Sequence, residues 1–182
     1  MEENPNTSLS KKLQVIEALF HFGILTTATQ NKKGFKGWNE VSDKKEYLAK
    51  TIKHLKQNSK YDLAINLKAS NLLSLDIDNP EKFKRLYKSS FQTLSCKTPR
   101  GYHYYFINDI GITGNYTFEE FGFEVHTNHL SNVFGAGYEL FLCEPKKASE
   151  FANFFDFIKK LLNSKNTQVF NQKKFFNSKK NT

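Results

Sequence analysis

Two aspartates separated by a single residue are the side chains of this chain best placed to do chemistry. Asp76 and Asp78 end the apolar stretch 72–77, which predicts a buried strand. Because side chains alternate along a strand, both carboxylates point to the same face. Two like charges side by side favour a divalent cation between them, and oxygen ligands favour Mg²⁺ or Mn²⁺. The alternative is a pair of solvated acids at a strand end, which the apolar surroundings make costly.

A helix start follows the acid pair directly. Asn79 is a good N-cap residue and Pro80 suits the first helical position, so we predict a helix over about 80–88. Two acids at the carboxyl end of a strand, beside a new helix, are a common layout for metal-dependent chemistry.

A second group of ionisable residues surrounds a predicted turn. Strands are predicted near 92–97 and 102–107, with a Pro- and Gly-containing turn between them. We expect the side chains of Lys97, Arg100 and His103 to converge at the mouth of one site, beside the turn, with backbone N–H groups of the turn exposed. Positive charge and an imidazole donor suit a triphosphate. A histidine in a strand is more often a structural hydrogen-bonding residue, but the nearby acids favour the functional interpretation.

A third acid, Glu124, lies inside a predicted strand near 122–127. An unpaired carboxylate there would be costly, and its simplest partner is a metal shared with Asp76 and Asp78. A salt bridge to a core Arg or Lys is the alternative. His126 and His129 have loop-like surroundings, and we predict no metal role for them. Zinc is disfavoured because no Cys/His cluster has the spacing of a zinc site.

The remaining elements must position these residues. Periodicity predicts helices over about 9–22, 43–57, 80–88 and 148–163, and strands near 24–27, 62–67, 72–77, 92–97, 102–107, 122–127 and 138–142. The stretch 108–120 is predicted to be a turn-rich loop. This mixture indicates an α/β or α+β fold with one mixed sheet or two small ones.

The composition narrows the partners. The net charge of +9 indicates a polyanionic partner such as nucleic acid, although part of the excess lies in the Lys-rich end of the chain. No stretch approaches the length of a membrane span, and the first residues do not resemble a signal peptide. Cys96 and Cys143 lie in apolar, strand-like sequence, so we expect two reduced core thiols in a cytoplasmic protein.

Taken in order, these motifs resemble those of the archaeo-eukaryotic primase superfamily. The likeness is to its primase-polymerase branch, found in replication proteins of plasmids, phages and other mobile elements, and it runs from about residue 12 to 143. It includes the Asp-x-Asp strand, the turn 98–106 with its histidine, and the strand carrying the third acid. The loop ending at Gly37-Trp38, the stretch 62–67 and a Gly-containing hairpin at 134–138 are also similar.

The resemblance implies a fold and a set of site residues. The fold would be α+β, a primase-like catalytic core with an N-terminal α/β lobe packed on an RRM-like β-sheet lobe, over residues 1–163. Residues 164–182 would be a polar, basic tail or linker. The catalytic metal ligands would be Asp76, Asp78 and Glu124, holding two Mg²⁺ or Mn²⁺ ions, and the nucleotide contacts would be His103, Arg100 and Lys97. The family usually has Asp where Glu124 stands.

The implied activity is template-directed DNA primase and DNA polymerase chemistry. The partners would be a single-stranded DNA template and primer, nucleoside triphosphates, and a helicase domain on the same, longer chain, with no membrane. Two other classes share some of the features. One is a different metal-dependent enzyme, a nuclease or a nucleotide-sugar transferase, and the other is a non-catalytic nucleic-acid-binding module.

Overall fold

Two β-sheets and four helices make up the described part of the chain, residues 5–164 of the computed structural model. In chain order the elements are α1 (Pro5–His21), β1 (Thr26–Gln30), β2 (Lys33–Gly34), α2 (Lys44–Gln57), β3 (Asp62–Asn66), β4 (Leu72–Ile77), α3 (Pro80–Leu86), β5 (Ser95–Lys97), β6 (Tyr102–Ile107), β7 (Asn115–Phe118), β8 (Phe123–His126), β9 (Leu130–Phe134), β10 (Glu139–Phe141), β11 (Lys146–Lys147), a 3₁₀ turn (Ala148–Phe151) and α4 over residues 152–164.

The strands form two sheets that exchange the chain between them. Sheet A has the order β2-β1-β3-β9, and sheet B has the order β10-β5-β6-β4-β8-β7, with β11 alongside β6. Every pairing is antiparallel except the one between β11 and β6. The fold is therefore of the mixed α+β kind. None of its described helices has the length and apolarity that crossing a membrane requires.

The back face of sheet B is apolar and packs against α3 and α4. It consists of alternate residues of the central strands, and its core members are Leu73, Leu75, Ile77, Phe106, Phe123 and Val125. Phe154, Phe155 and Ile158 of α4 pack on it, so the aromatic stripe of this helix belongs to the core. Burying each such side chain contributes about 1.5–3 kcal/mol. This packing buries one face of the sheet.

A second apolar cluster lies between α1, α2 and the two sheets. Ile16 and Leu19 of α1 and Leu55 of α2 pack on residues of sheet A such as Ile65. The same cluster includes Tyr105 and two other residues of sheet B. Sheet A is thereby packed against the face of sheet B that the first cluster leaves free. We call that face the front face, and it carries Ser74, Asp76, His103, Tyr105, Glu124 and His126.

The predicted strands at 72–77 and 102–107 match the structure, but four strands were not predicted: the two-residue strands β2 and β11, and the longer β7 and β9. The expected loop 108–120 contains β7, and β9 lies where no strand was predicted. Strand β9 is hard to recognise because its polar Ser131 and Asn132 are buried between other elements. The turn at 134–138 joins β9 of sheet A to β10 of sheet B, so it is not a β-hairpin. The predicted tail 164–182 lies outside the described residues after Ser164.

The two cysteines differ in their surroundings, so the expectation of two core thiols is wrong for Cys143. Cys96 is buried and Cys143 is exposed. Burial raises the pKa of Cys96 to about 12, which leaves almost no thiolate at neutral pH. We therefore expect a chromogenic thiol reagent to label only Cys143 in the folded protein and both cysteines in guanidinium chloride. Equal labelling rates for the two thiols in the folded protein would contradict this packing.

Candidate functional site

Three of the predicted site residues lie side by side on the front face of sheet B. Asp76, on the central strand β4, is directly opposite His103 of β6 on one side and Glu124 of β8 on the other. Residues directly opposite in antiparallel strands share a face and have Cβ atoms about 4.5–5.5 Å apart. The register therefore brings together two of the predicted acids and the predicted histidine, which are far apart in the sequence.

Asp76 is held in a largely buried position. Its side chain is 20% exposed, and its Oδ1 atom lies 2.9 Å from Nε2 of His103. That contact lacks hydrogen-bond geometry, and Oδ1 accepts no hydrogen bond from the residues that the structure describes. A buried carboxylate oxygen without such a bond costs free energy unless something else satisfies it. A cation at this oxygen would remove that cost.

The second ring nitrogen of His103 is fixed by residues of both sheets. Nδ1 lies 3.0 Å from the Ser131 hydroxyl of β9 and 3.3 Å from the Tyr105 hydroxyl, and these two hydroxyls are 2.8 Å apart. Burial raises the pKa of Tyr105 well above its usual value, so its hydroxyl stays protonated. These bonds orient the imidazole so that Nε2 faces Asp76. The sequence offered no signal for Ser131, because β9 itself was not predicted.

Ser131, His103 and Asp76 form a line of serine, histidine and acid, but the serine is not placed as a nucleophile. Ser131 is only 6% exposed. Its hydroxyl contacts Nδ1 of His103 and is shared with Tyr105. This geometry assigns Ser131 to orienting the imidazole.

Asp78 pairs with the residue that the sequence predicted as a phosphate contact. Nη2 of Arg100 lies 3.0 Å from Oδ2 of Asp78, with the arginine side chain 72% and the aspartate side chain 35% exposed. Ion pairs at this exposure stabilise the fold by roughly 0–1 kcal/mol. The guanidinium can therefore exchange Asp78 for another anion at little cost to the fold.

Two glycines pack closely against the backbone at the end of β4. A Cβ on Gly101 would lie 1.8 Å from the carbonyl oxygen of Ile77, and a Cβ on Gly122 would lie 2.7 Å from Cβ of Asn79. Gly122 also has φ +73° and accepts a 3.0 Å hydrogen bond from the Asn79 N–H. Only glycine allows these backbones to approach so closely. Asn79 caps α3, as predicted.

The turn before His103 differs from its prediction in two respects. The N–H groups of Arg100 and Gly101 are not exposed for a ligand, because both donate to the Thr98 hydroxyl, at 3.3 Å and 3.0 Å. Lys97 is opposite Tyr102, one position along from the Cys96–His103 pair. Its side chain therefore leaves from the back face, and the structure does not bring Lys97 together with Arg100 and His103.

Glu124 is paired with a histidine and not with a core Arg or Lys. Its Oε2 atom lies 2.9 Å from Nε2 of His126, and its Oε1 atom accepts a 3.1 Å hydrogen bond from Thr117. His126 belongs to β8, so the expectation that it lies in a loop is wrong. The two-residue spacing from Glu124 was the available signal. The His129 ring stacks on His126 at 5.1 Å, and burial together with His126 lowers the pKa of His129.

Tyr138 forms another wall of the site. Its ring centroid lies 6.5 Å from that of His103 in a T-shaped arrangement. Burial raises the pKa of Tyr138, and the nearby Cys96 and Asp76 add to the effect. The turn that carries Tyr138 packs on the histidine turn, since a Cβ on Gly137 would lie 3.0 Å from Pro99. The two turns thus form one rim beside Asp78 and Arg100.

The donor set fits a hard divalent cation. Among residues 5–164, no three His, Cys, Asp or Glu side chains stand in a ready-made metal cluster. Asp76, Asp78 and Glu124 instead each contact a histidine or an arginine. They nevertheless supply carboxylate oxygens, and Oδ1 of Asp76 is buried without a hydrogen bond. Oxygen donors of this kind are those of Mg²⁺ and Mn²⁺ sites.

Comparison of the chain with models of known protein families and with curated proteins gives no match.

Proposed function

We propose that this chain is the catalytic domain of a template-directed DNA primase and DNA polymerase, of the archaeo-eukaryotic primase superfamily, serving a plasmid, phage or other mobile element. The observation that carries the proposal is the strand register, which places Asp76 between His103 and Glu124. Asp78 and Arg100 extend this group at the end of the same strand. Acids and phosphate-binding side chains then lie on one face, as nucleotidyl transfer requires.

The residues that would hold the metal ions are Asp76, Asp78 and Glu124. When bound, Mg²⁺ or Mn²⁺ ions supply activation of the attacking 3′-hydroxyl and charge neutralisation on the triphosphate and the departing pyrophosphate. The sheet supplies the positioning. Asp76 is fixed by its place on a central strand, and Asp78 by the glycine backbones packed on both sides of its neighbours.

His103 and Arg100 would bind the phosphates of the incoming nucleotide. The imidazole is pre-oriented by Ser131 and Tyr105, so Nε2 is the nitrogen that faces the site. The exposed guanidinium of Arg100 is free to turn from Asp78 to a phosphate, for which its planar fork is well suited. The positive charge of Arg100 would then be balanced by the nucleotide.

The alternatives explain fewer of these features. A nuclease or a nucleotide-sugar transferase would share the carboxylates, but it does not require the oriented histidine beside them. A non-catalytic nucleic-acid-binding module would not require acids at all. Placing Asp76 and Glu124 side by side carries a desolvation and repulsion cost that only a positive partner offsets.

The test is incorporation of labelled nucleotides on a single-stranded template, with and without a primer, in Mg²⁺ or Mn²⁺. We expect metal-dependent products whose sequence follows the template. Shortening of the template would indicate a nuclease, label transfer without a template would indicate a transferase, and binding without turnover would indicate a non-catalytic module. Any of these three results would replace the polymerase proposal.

His103→Ala should weaken nucleotide binding much more than template binding. Losing a hydrogen bond to a charged group costs about 1.5–3 kcal/mol, or roughly 10- to 150-fold in affinity. Titrations with a labelled nucleoside triphosphate and with a labelled single-stranded oligonucleotide would measure the two effects. Ser131→Ala, which removes a hydroxyl that contacts both His103 and Tyr105 but leaves the imidazole in place, should cause a smaller loss in the same direction. Equal losses for both ligands would contradict the role assigned to His103.

A further inference from the structure

The β1–β2 hairpin and α2 enclose a pocket that the proposed chemistry does not use. Its volume is about 510 Å³, and its polar and aromatic lining consists of Gln30, Lys33, Phe35, Lys36, His54 and Tyr61, with Asn31 beside them. We call it the hairpin pocket. It lies at the β2 edge of sheet A, three strands from β9, which carries Ser131. At about 4.8 Å per strand, that separation is about 14 Å.

The charge of the hairpin pocket is one-sided. Lys33 and Lys36 are exposed, His54 is half-buried, and no carboxylate of the described residues lines the pocket. The neighbouring hollow along α2 does contain acids, among them Glu46, which is paired with Lys50 at 2.8 Å. The lining of the hairpin pocket is therefore complementary to an anion.

Aromatic rings lie between the basic side chains. Phe35 stacks on His54 with ring centroids 4.8 Å apart and planes 16° apart, which fixes both rings. Tyr61 lines the pocket and is half-buried. Basic residues interleaved with fixed aromatic rings are typical of surfaces that bind single-stranded nucleic acid, because phosphates meet the charges and bases stack on the rings.

The loop that carries Lys36 is held in place without a ligand. The Trp38 carbonyl accepts hydrogen bonds from the Tyr47 hydroxyl at 2.9 Å and from the Asn66 amide at 2.8 Å. Both donors are buried, at 3% and 1% exposure. At the other end, Lys33 is paired with Gln30 in the β1–β2 ladder. The pocket is thus pre-organised, which lowers the entropic cost of binding.

We propose that the hairpin pocket binds a single-stranded nucleic acid, with Lys33 and Lys36 on its phosphates and Tyr61 against a base. The inference rests on the proposed function in one respect, since the proposed function identifies the bound single-stranded nucleic acid as the template. A free nucleoside triphosphate is the less suitable ligand. Its bound Mg²⁺ would find no carboxylate among the residues that line the pocket.

The test is fluorescence anisotropy with a labelled oligothymidylate of about 12 nucleotides, a length within the site sizes of single-stranded-DNA-binding folds. Removing two phosphate contacts should reduce the salt dependence, the slope of log K against log salt, by about 1.4. For Lys33→Ala/Lys36→Ala we therefore expect affinity to fall about 10- to 100-fold at about 0.05 M salt. Tyr61→Leu should lower affinity about 5- to 100-fold and leave that slope unchanged.

A matched control removes the same charge elsewhere. Lys84 and Lys88 are exposed and line none of the pockets described above, so Lys84→Ala/Lys88→Ala should leave affinity and slope unchanged. Thermal melting verifies that each variant is folded. Wild-type affinity in the Lys33→Ala/Lys36→Ala variant, an equal loss in the control, or a loss confined to nucleoside triphosphate binding would overturn the inference.

The outcome is separable from that of the proposed function. A wild-type protein that uses the hairpin pocket but incorporates no nucleotide would support the pocket and refute the polymerase. If the protein incorporates nucleotides but its template affinity does not depend on Lys33 and Lys36, the binding role of the hairpin pocket is refuted and the polymerase proposal stands.

Discussion

Asp76→Asn/Asp78→Asn should reduce nucleotide incorporation by at least about 10³-fold. The two carboxylates would hold the metal ions, whose stabilisation of the transition-state charge amounts to several kcal/mol, and each 1.36 kcal/mol is tenfold in rate. Asn keeps the size and shape of Asp, so the packing of β4 between β6 and β8 should survive. Primer extension on a single-stranded template, in Mg²⁺ and in Mn²⁺, measures the effect.

A binding measurement separates metal loss from other causes of inactivity. At a Mn²⁺ concentration of about 100 times the dissociation constant, binding stabilises the folded state by about 2.7 kcal/mol. For a protein of this size the melting temperature should then rise by about 5–10 °C. We expect this rise in the wild type and in Asp156→Asn, which removes an exposed carboxylate from α4, but not in Asp76→Asn/Asp78→Asn. Undiminished extension by the double variant would end the polymerase interpretation.

Gly101→Ala should destabilise the protein by at least about 3 kcal/mol, at the upper end of overpacking effects. The new Cβ would lie 1.8 Å from the Ile77 carbonyl oxygen, a backbone atom that cannot rotate away. The melting temperature should fall by at least about 6 °C, as circular dichroism would show. Any folded fraction should also lose activity, because the displaced backbone lies between Asp76 and Asp78.

Gly23→Ala is the matched control for that substitution. Gly23 has φ +74°, and a Cβ there would meet nothing within 4 Å. The left-handed backbone alone costs about 1–2 kcal/mol, so this variant should be the milder of the two. A Gly101→Ala protein as stable as Gly23→Ala would show that the turn does not pack on Ile77 as described.

The strands that carry the site residues could be predicted from the sequence because their patterns are local. Leu72 to Ile77 and Tyr102 to Ile107 are apolar runs bounded by turn residues, and both strands were placed correctly. No local pattern shows that Asp76 and Glu124 lie next to each other, because that contact depends on the pairing of β4 with β8. The acids themselves were found through the cost of burying a charge, which a single sequence does reveal.

What the sequence could not indicate are the partners of these side chains. Ser131 orients His103 from a strand in another sheet, and no local pattern marks such a contact. His126 pairs with Glu124, and Lys97 points to the back face, because the strand register decides both outcomes. The hairpin pocket likewise depends on where α2 packs against the β1–β2 hairpin.

The path of β9 has a consequence for folding. The chain leaves sheet B after β8, adds β9 to the edge of sheet A beside β3, and returns as β10 at the opposite edge of sheet B. Neither sheet is built from one continuous piece of chain, so neither is complete if the chain is cut between them. Denaturant unfolding followed by tryptophan fluorescence and by circular dichroism should give one shared transition. Because these pairings join distant segments, refolding should also be slow compared with that of a helical protein.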